Sequence, residues 1–185
     1  MSADLKTALQ NAELLYTHET IKHTVGQMAD GIGHDYRQDA HAPLFLTVMN
    51  GALPFAGALA LALGARGLDL QLDYLHATRY RGDTRGQDLH WLRQPTVSLV
   101  GRRVLLVDDI LDEGQTLLEV KRWCEAQGAQ DVRIAVLAVK RHDRCVPGIQ
   151  ADYIGLEVPD RYVFGYGMDY HEQGRNLPAI YALND

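Results

Sequence analysis

Two cysteines, Cys124 and Cys145, are all the sulfhydryl chemistry in this sequence. They show neither a disulfide framework nor the paired spacing of a zinc site, which points to a reducing, cytoplasmic setting. No apolar run approaches the ~20 residues of a membrane span. The first residues, Met1-Ser2-Ala3-Asp4-Leu5-Lys6, lack the basic-then-apolar order of a secretory signal. There is no excess of positive charge: the net charge of −6 argues against a nucleic-acid binder. Internal repeats, low-complexity segments and long linkers are also missing. A chain of 185 residues with 46% apolar and 23% charged residues has the composition of an ordinary globular protein. It is long enough to bury its own core, so one domain over residues 1–185 is expected.

Apolar strands alternate with helical patterns along the chain. Residues 5–15 look helical. Thr17 or His18 would cap a second helix with the stripe Ile21, Val25, Met28 and Ile32, which Gly31, Gly33 and then Pro43 break up and close. A short buried strand at 44–48 ends in the turn signal Asn50-Gly51, and an Ala/Leu-rich helix follows over 53–63. Residues 68–75 alternate as an exposed or edge strand does. Residues 79–91 read as a long polar loop and 97–100 as a return strand. A strand at 103–107, a helix over 116–127 and a strand at 132–139 come next. Short strands follow near 153–158 and near Val163. This order predicts an α/β fold with a mainly parallel sheet. Ligands bind outside the carboxyl ends of such strands, here after Val48, Val107 and Val139.

The densest chemistry lies in Val104-Leu105-Leu106-Val107-Asp108-Asp109-Ile110-Leu111-Asp112-Glu113-Gly114-Gln115-Thr116. A buried strand excludes charge, so Asp108 and Asp109 are expected where the strand leaves its sheet. Residues 113–116 would then present backbone N–H groups at a helix N-terminus, where an anion is favoured. Carboxylates for a sugar or cation, beside a cradle for phosphate, suit a phosphorylated sugar.

This stretch resembles the phosphoribosyl-pyrophosphate (PRPP) signature of the type I phosphoribosyltransferases. Asp112 at its variable place resembles the 6-oxopurine (hypoxanthine-guanine) branch. A second match is Gly155-Leu156-Glu157-Val158-Pro159-Asp160-Arg161-Tyr162-Val163-Phe164-Gly165-Tyr166-Gly167-Met168-Asp169-Tyr170. The similarity runs roughly from residue 17 to residue 181. It implies a parallel sheet flanked by helices with a small hood from the N- and C-terminal parts. It also implies transfer of the phosphoribosyl group from PRPP to hypoxanthine or guanine, giving IMP or GMP and pyrophosphate in purine salvage. Mg²⁺ would be the cofactor, and a homodimer or homotetramer the assembly.

The resemblance also assigns roles. Asp108 and Asp109 hold the ribose hydroxyls directly or through Mg²⁺, and Asp112 is the general base or acid facing N7 of the purine. Residues 112–116 (Asp112, Glu113, Gly114, Gln115 and Thr116) surround the 5-phosphate. Glu113 departs from the family's usual Thr or Ser and is expected to point outward. Asn50 and Gly51 form the pyrophosphate loop, with a cis bond matching Met49–Asn50, and Arg175 contacts pyrophosphate. Tyr80, in the Arg- and Gly-rich loop, matches a lid tyrosine. Lys140 donates to O6 of the base, Tyr162 stacks on it, Val163 reads its edge through main-chain groups, and Asp169 lies near the pyrophosphate Mg²⁺. Arg141 and His171 read as surface residues.

Three other readings compete with this one. The strand and acidic pair also look like the opening of a response-regulator receiver, but Asp152, the nearest candidate phosphoacceptor, precedes a strand instead of ending one. Xanthine as the preferred base stays open. An RNA-binding, nucleotide-sensing regulator on the same fold is disfavoured by the acidic charge and by Asp112 and Lys140.

Overall fold

The computed structural model describes residues 4–79 and 89–184. Tyr80 therefore lies outside the described residues. Two sheets are formed. In the larger, β2 (Leu44–Val48), β3 (Gln71–Arg79), β5 (Arg103–Leu111), β6 (Asp131–Lys140) and β7 (Tyr153–Val158) run parallel in the order β3-β2-β5-β6-β7. The strand β4 (Leu89–Arg93) closes one edge antiparallel to β3. In the smaller sheet, β1 (Ala12–Tyr16) and β8 (Val163–Phe164) flank β9 (Ile180–Leu183), all antiparallel. This is the arrangement that the resemblance implies, a mainly parallel sheet flanked by helices with a small hood.

The period-two alternation of β5 divides the core. Leu105 and Val107 pack with α2 (His18–Tyr36) and α3 (Leu53–Gly64). Val104 and Leu106 face the other way, toward Leu117, Val120 and Cys124 of α4 (Gln115–Ala126). A strand buried on both faces reads as a continuous apolar run, which is what 104–107 is. Burial pushes the Cys124 thiol up to about 12, so it acts as a small core hydrophobe.

Several boundaries differ from the sequence reading. The first helix, α1 (Leu5–Gln10), stops at Asn11, and the rest of the expected helix pairs with β9 as β1. A distant partner strand overrides local propensity there. Thr17 caps α2 as expected, accepting from the Thr20 N–H. Gly31 and Gly33 do not interrupt α2, because burial of Ile21, Val25, Met28, Ile32 and Tyr36 on one stripe outweighs a propensity cost of about 1 kcal/mol per glycine. β3 begins later than expected and is not an edge strand. The return strand lies at β4, and 97–100 forms none. The Asp73 carboxylate accepts from the Thr96 and Val97 N–H groups, which turns that segment away from the ladder.

α2 lies over β7 at Gly155. A Cβ there would sit 2.6 Å from the Leu137 carbonyl oxygen and 2.9 Å from Met28 Sδ. Gly155→Ala is expected to cost about 1–3 kcal/mol through overpacking. Urea unfolding would show it as a lower midpoint at an unchanged m-value; an unchanged midpoint would mean that the helix shifts freely.

Candidate active site

The cleft opens where the parallel strands end, and register decides what lines it. β5 pairs with β2 only as far as Thr47↔Val107, but with β6 as far as Leu111↔Val139. The strand thus does not stop at Val107, as the sequence suggested. It continues beside β6 while its other flank, past the end of β2, is open. Asp108 and Asp109 stand on that flank. The alternation that sorted the core sends them to opposite sides: Asp108 also lines the hollow around residues 112–117, and Asp109 turns toward the α3 side.

The cleft has a volume of about 630 Å³. Its floor is Asp108, Asp109 and the turn Met49-Asn50-Gly51, whose Met49–Asn50 peptide is cis. Asp112, Thr116 and Lys140 form one wall, and Tyr162, Val163, Asp169 and Arg175 another. The sequence-predicted residues outside residues 80–88 are thus brought together. Glu113, Gly114 and Gln115 line the adjoining hollow.

Asp109 is the tightest point. A Cβ on Gly51 would fall 2.1 Å from Asp109 Oδ2, and one on Gly167 would fall 2.0 Å from the Gly51 carbonyl oxygen. Gly167 also has φ +107°, which disfavours any side chain. Three distant segments therefore meet with no room for a methyl group. Arg175 completes the knot: it donates to the Gly167 carbonyl at 2.8 Å and pairs with Asp169 at 2.8 Å.

Electrostatics follow from this burial. Desolvation raises Asp108 well above the ordinary carboxylate range, and the neighbouring Asp109 charge adds to it. Desolvation raises Asp109 too, opposed by the Asp108 and Ile110 hydrogen bonds and by the Arg175 charge. The two titrate as a pair. Among the described residues no three acidic, His or Cys side chains cluster as a closed metal cage. Two crowded carboxylates beside an open cleft fit Mg²⁺, which takes one or two carboxylates and completes its shell with substrate oxygens and water.

The side expected to take phosphate is built from backbone. Gly114 adopts φ +78° at the N-cap of α4, and no side chain caps that helix. The first-turn N–H groups and the helix dipole are left for an anion. A Cβ on Gly114 would lie 2.6 Å from Ile149 Cγ2, so the loop is pressed against the body of the protein. Glu113 is exposed and accepts from the Gln115 side chain.

The side expected to take the base follows from the β5–β6 register. With Leu111 opposite Val139, the next residues, Asp112 and Lys140, stand side by side, and their charged groups meet at 2.7 Å. A second partner was not foreseen: His142 Nε2 lies 2.5 Å from the other Asp112 oxygen, with its side chain only 3% exposed. Burial would raise Asp112, but the hydrogen bonds from Lys140 and His142 outweigh it and hold the carboxyl below its ordinary range. The sequence signal for His142 was slight, a histidine two residues beyond a strand end. Tyr162 is exposed, its ring stacked 6.2 Å from His171 and edge-on to Tyr170 at 5.6 Å. Val163 is buried in β8, paired with Ala182. Arg141 makes a surface pair with Glu157.

Residues 11–172 match the phosphoribosyl transferase domain. The chain belongs to the phosphoribosyltransferase family. It is 31% identical over 174 residues to hypoxanthine-guanine phosphoribosyltransferase of Streptococcus pneumoniae, covering 94% of this chain and 93% of that one. Among solved structures, hypoxanthine phosphoribosyltransferase of Trypanosoma cruzi in complex with its product IMP superposes with a TM-score of 0.87 at 30% identity, covering 95% and 96% of the two chains. The Staphylococcus aureus hypoxanthine phosphoribosyltransferase gives 0.86 at 25% identity, covering 100% and 97%.

In metal-free protein kept in chelator, the acidic pair gives a stability signature. A carboxyl raised above its unfolded value favours the fold below that value, near ~4, and stability is lost as pH rises through the folded value. Asp108→Asn is therefore expected to raise Tm at neutral pH, by roughly 2–4 °C per kcal/mol of repulsion removed. The gap closes as pH falls toward the unfolded value. Thermal melts across pH check this; a gap that persists in acid would refute it.

Proposed function

We propose that this phosphoribosyltransferase is a purine-salvage enzyme that transfers the 5-phosphoribosyl group from PRPP to hypoxanthine or guanine. It forms IMP or GMP and releases pyrophosphate. The observation that carries the reading is the Asp112–Lys140 pair, 2.7 Å apart, at the ends of adjacent strands beside the phosphate loop. A 6-oxopurine presents an acceptor at O6 and a proton at N7. Lys140 supplies the donor for O6, and Asp112 the acceptor for the N7 proton. Adenine offers an amino group where Lys140 requires an acceptor.

Position in or beside the cleft supports each remaining role except that of Tyr80, which rests on the resemblance alone. The N–H groups at the start of α4 and the Thr116 hydroxyl hold the 5-phosphate. Asp108 and Asp109 orient the ribose hydroxyls, and their charge favours the cation-like ribosyl centre that develops as pyrophosphate leaves. The purine N9 forms the new bond to the anomeric carbon as the bond to the pyrophosphate oxygen breaks, and the N7 proton passes to Asp112. Asn50, Gly51 and Arg175 face the departing pyrophosphate. Tyr162 covers the base, Val163 contributes main-chain groups to its edge, and Tyr80 is assigned to the lid. Mg²⁺, when bound, supplies positive charge to the pyrophosphate oxygens, and Asp108, Asp109 and Asp169 are the residues that would hold it or its water.

Both sheets serve one catalytic domain, and the enzyme works in the cytoplasm. A second copy of the chain covers the apolar face that Leu53, Leu72 and Tyr74 leave exposed on α3 and β3. Light scattering after size exclusion should give a dimer or tetramer, and Leu72→Asp should shift it toward monomer; a monomeric wild type would remove this reading.

A spectrophotometric assay with PRPP, Mg²⁺ and each of hypoxanthine, guanine, xanthine and adenine tests the reaction. Hypoxanthine or guanine should turn over and adenine should not; preference for xanthine would reassign the base, and no turnover would defeat the reading. Lys140→Ala should lower kcat/KM for the base at least tenfold with PRPP binding retained. Equal loss for both substrates would remove the assignment of Lys140 to O6.

A further inference from the structure

The loop that follows β6 carries a hydrogen-bonded chain aimed at Asp112. His142 Nε2 meets Asp112 Oδ1 at 2.5 Å. On the other side of the ring, the backbone N–H of Arg144 donates to His142 Nδ1 at 3.0 Å. A ring nitrogen that accepts carries no proton, so the proton belongs on Nε2 and points at the carboxylate. Arg144 is held in turn by a two-pronged pair with Asp160 at 2.7 and 2.6 Å. The charged groups around the ring are Asp112 from the end of β5, Lys140 from β6, Asp143 and Arg144 from its own loop, and Asp160 beyond β7.

We propose that His142 is the positioning residue for Asp112: an Nε2–H donor, fixed in tautomer by the Arg144 main chain, that pins one carboxylate oxygen while Lys140 leaves the other for the purine. The inference rests on the proposed base reading. Without base, both oxygens of Asp112 are engaged, Oδ2 by Lys140 and Oδ1 by His142. When Lys140 turns to O6, Oδ2 is freed for the N7 proton. His142 keeps the carboxylate from rotating after Lys140 and keeps it ionised, ready to accept. Nearly full burial of the imidazole makes the contact a fixed one.

The variants His142→Phe and His142→Gln separate the donor from the packing, since the Gln amide can place an N–H where Nε2 stands. With His142→Phe, kcat/KM for the base should fall about tenfold, for the loss of one hydrogen bond to a charged group, while KM for PRPP stays within about twofold. The acid limb of the pH profile should move up by roughly half to one pH unit, because Asp112 loses a donor that favours its ionised form. His142→Gln should restore most of both. Coincident acid limbs with unchanged kcat/KM, or equal losses for base and PRPP that track a fall in Tm, would overturn the proposal.

Two readouts do not depend on turnover. Nitrogen-15 NMR of the wild-type protein should show His142 protonated at Nε2, and the Nδ1–H form would overturn the proposal whether or not the variants fold. The carboxyl-carbon titration of Asp112 should move up in His142→Phe. A wild type inactive on 6-oxopurines, with the tautomer and titration as stated, would sink the base reading and leave the positioning contact standing.

Discussion

The floor of the cleft depends on how closely three backbone segments approach at Asp109. The turn after β2, the far end of β5 and the turn after β8 are remote in sequence, and here they touch with no space for a methyl group between them. Close packing of this kind fixes position to fractions of an ångström, because interiors yield little to compression. The two glycines exist so that a carboxylate can be held under a backbone turn. A carboxylate in such a place is desolvated, and its neighbour Asp108 crowds it further. Position and charge are thus two results of one constraint.

The opposite wall is built on register. Parallel pairing of β5 with β6 sets Asp112 beside Lys140, residues far apart in sequence, with no loop needed to bring them together. The floor therefore carries carboxyls that burial raises despite the nearby Arg175, and this wall a lowered carboxyl with two donors. A substrate with an anionic, metal-binding end and a polar heterocyclic partner matches that asymmetry, and the uncapped helix N-terminus between them favours an anion.

Much of this could be seen before any fold was known, and the physical reasons differ by element. The strand at 104–107 was plain because burial on both faces writes a continuous apolar run. The acidic pair was plain because charge next to such a run needs an exit from the sheet. The stripe of α2 could be seen at helical spacing, although its glycines misled: propensity is local, and packing overruled it. β1 and β9 could not be seen, since each is a strand only in the presence of the other. The end of β5 was misjudged for a related reason. The sequence shows where apolar residues stop, not that one neighbouring strand ends before the other. His142 was hidden because a lone histidine gains meaning only when its two nitrogens are given partners.

The pairing of β1 with β9 bears on how the enzyme comes into being. The large sheet is complete once β7 has been made, and with it the Asp112–Lys140 pair and the start of α4. The wall that carries Tyr162, Asp169 and Arg175 belongs to the hood, whose central strand is the last element of the fold. β1 must wait for β9 before it can pair, a contact of very high sequence separation. Until β1 and β9 pair, the cleft lacks the wall that carries Tyr162, Asp169 and Arg175, and with it the shelter from water that transfer chemistry requires.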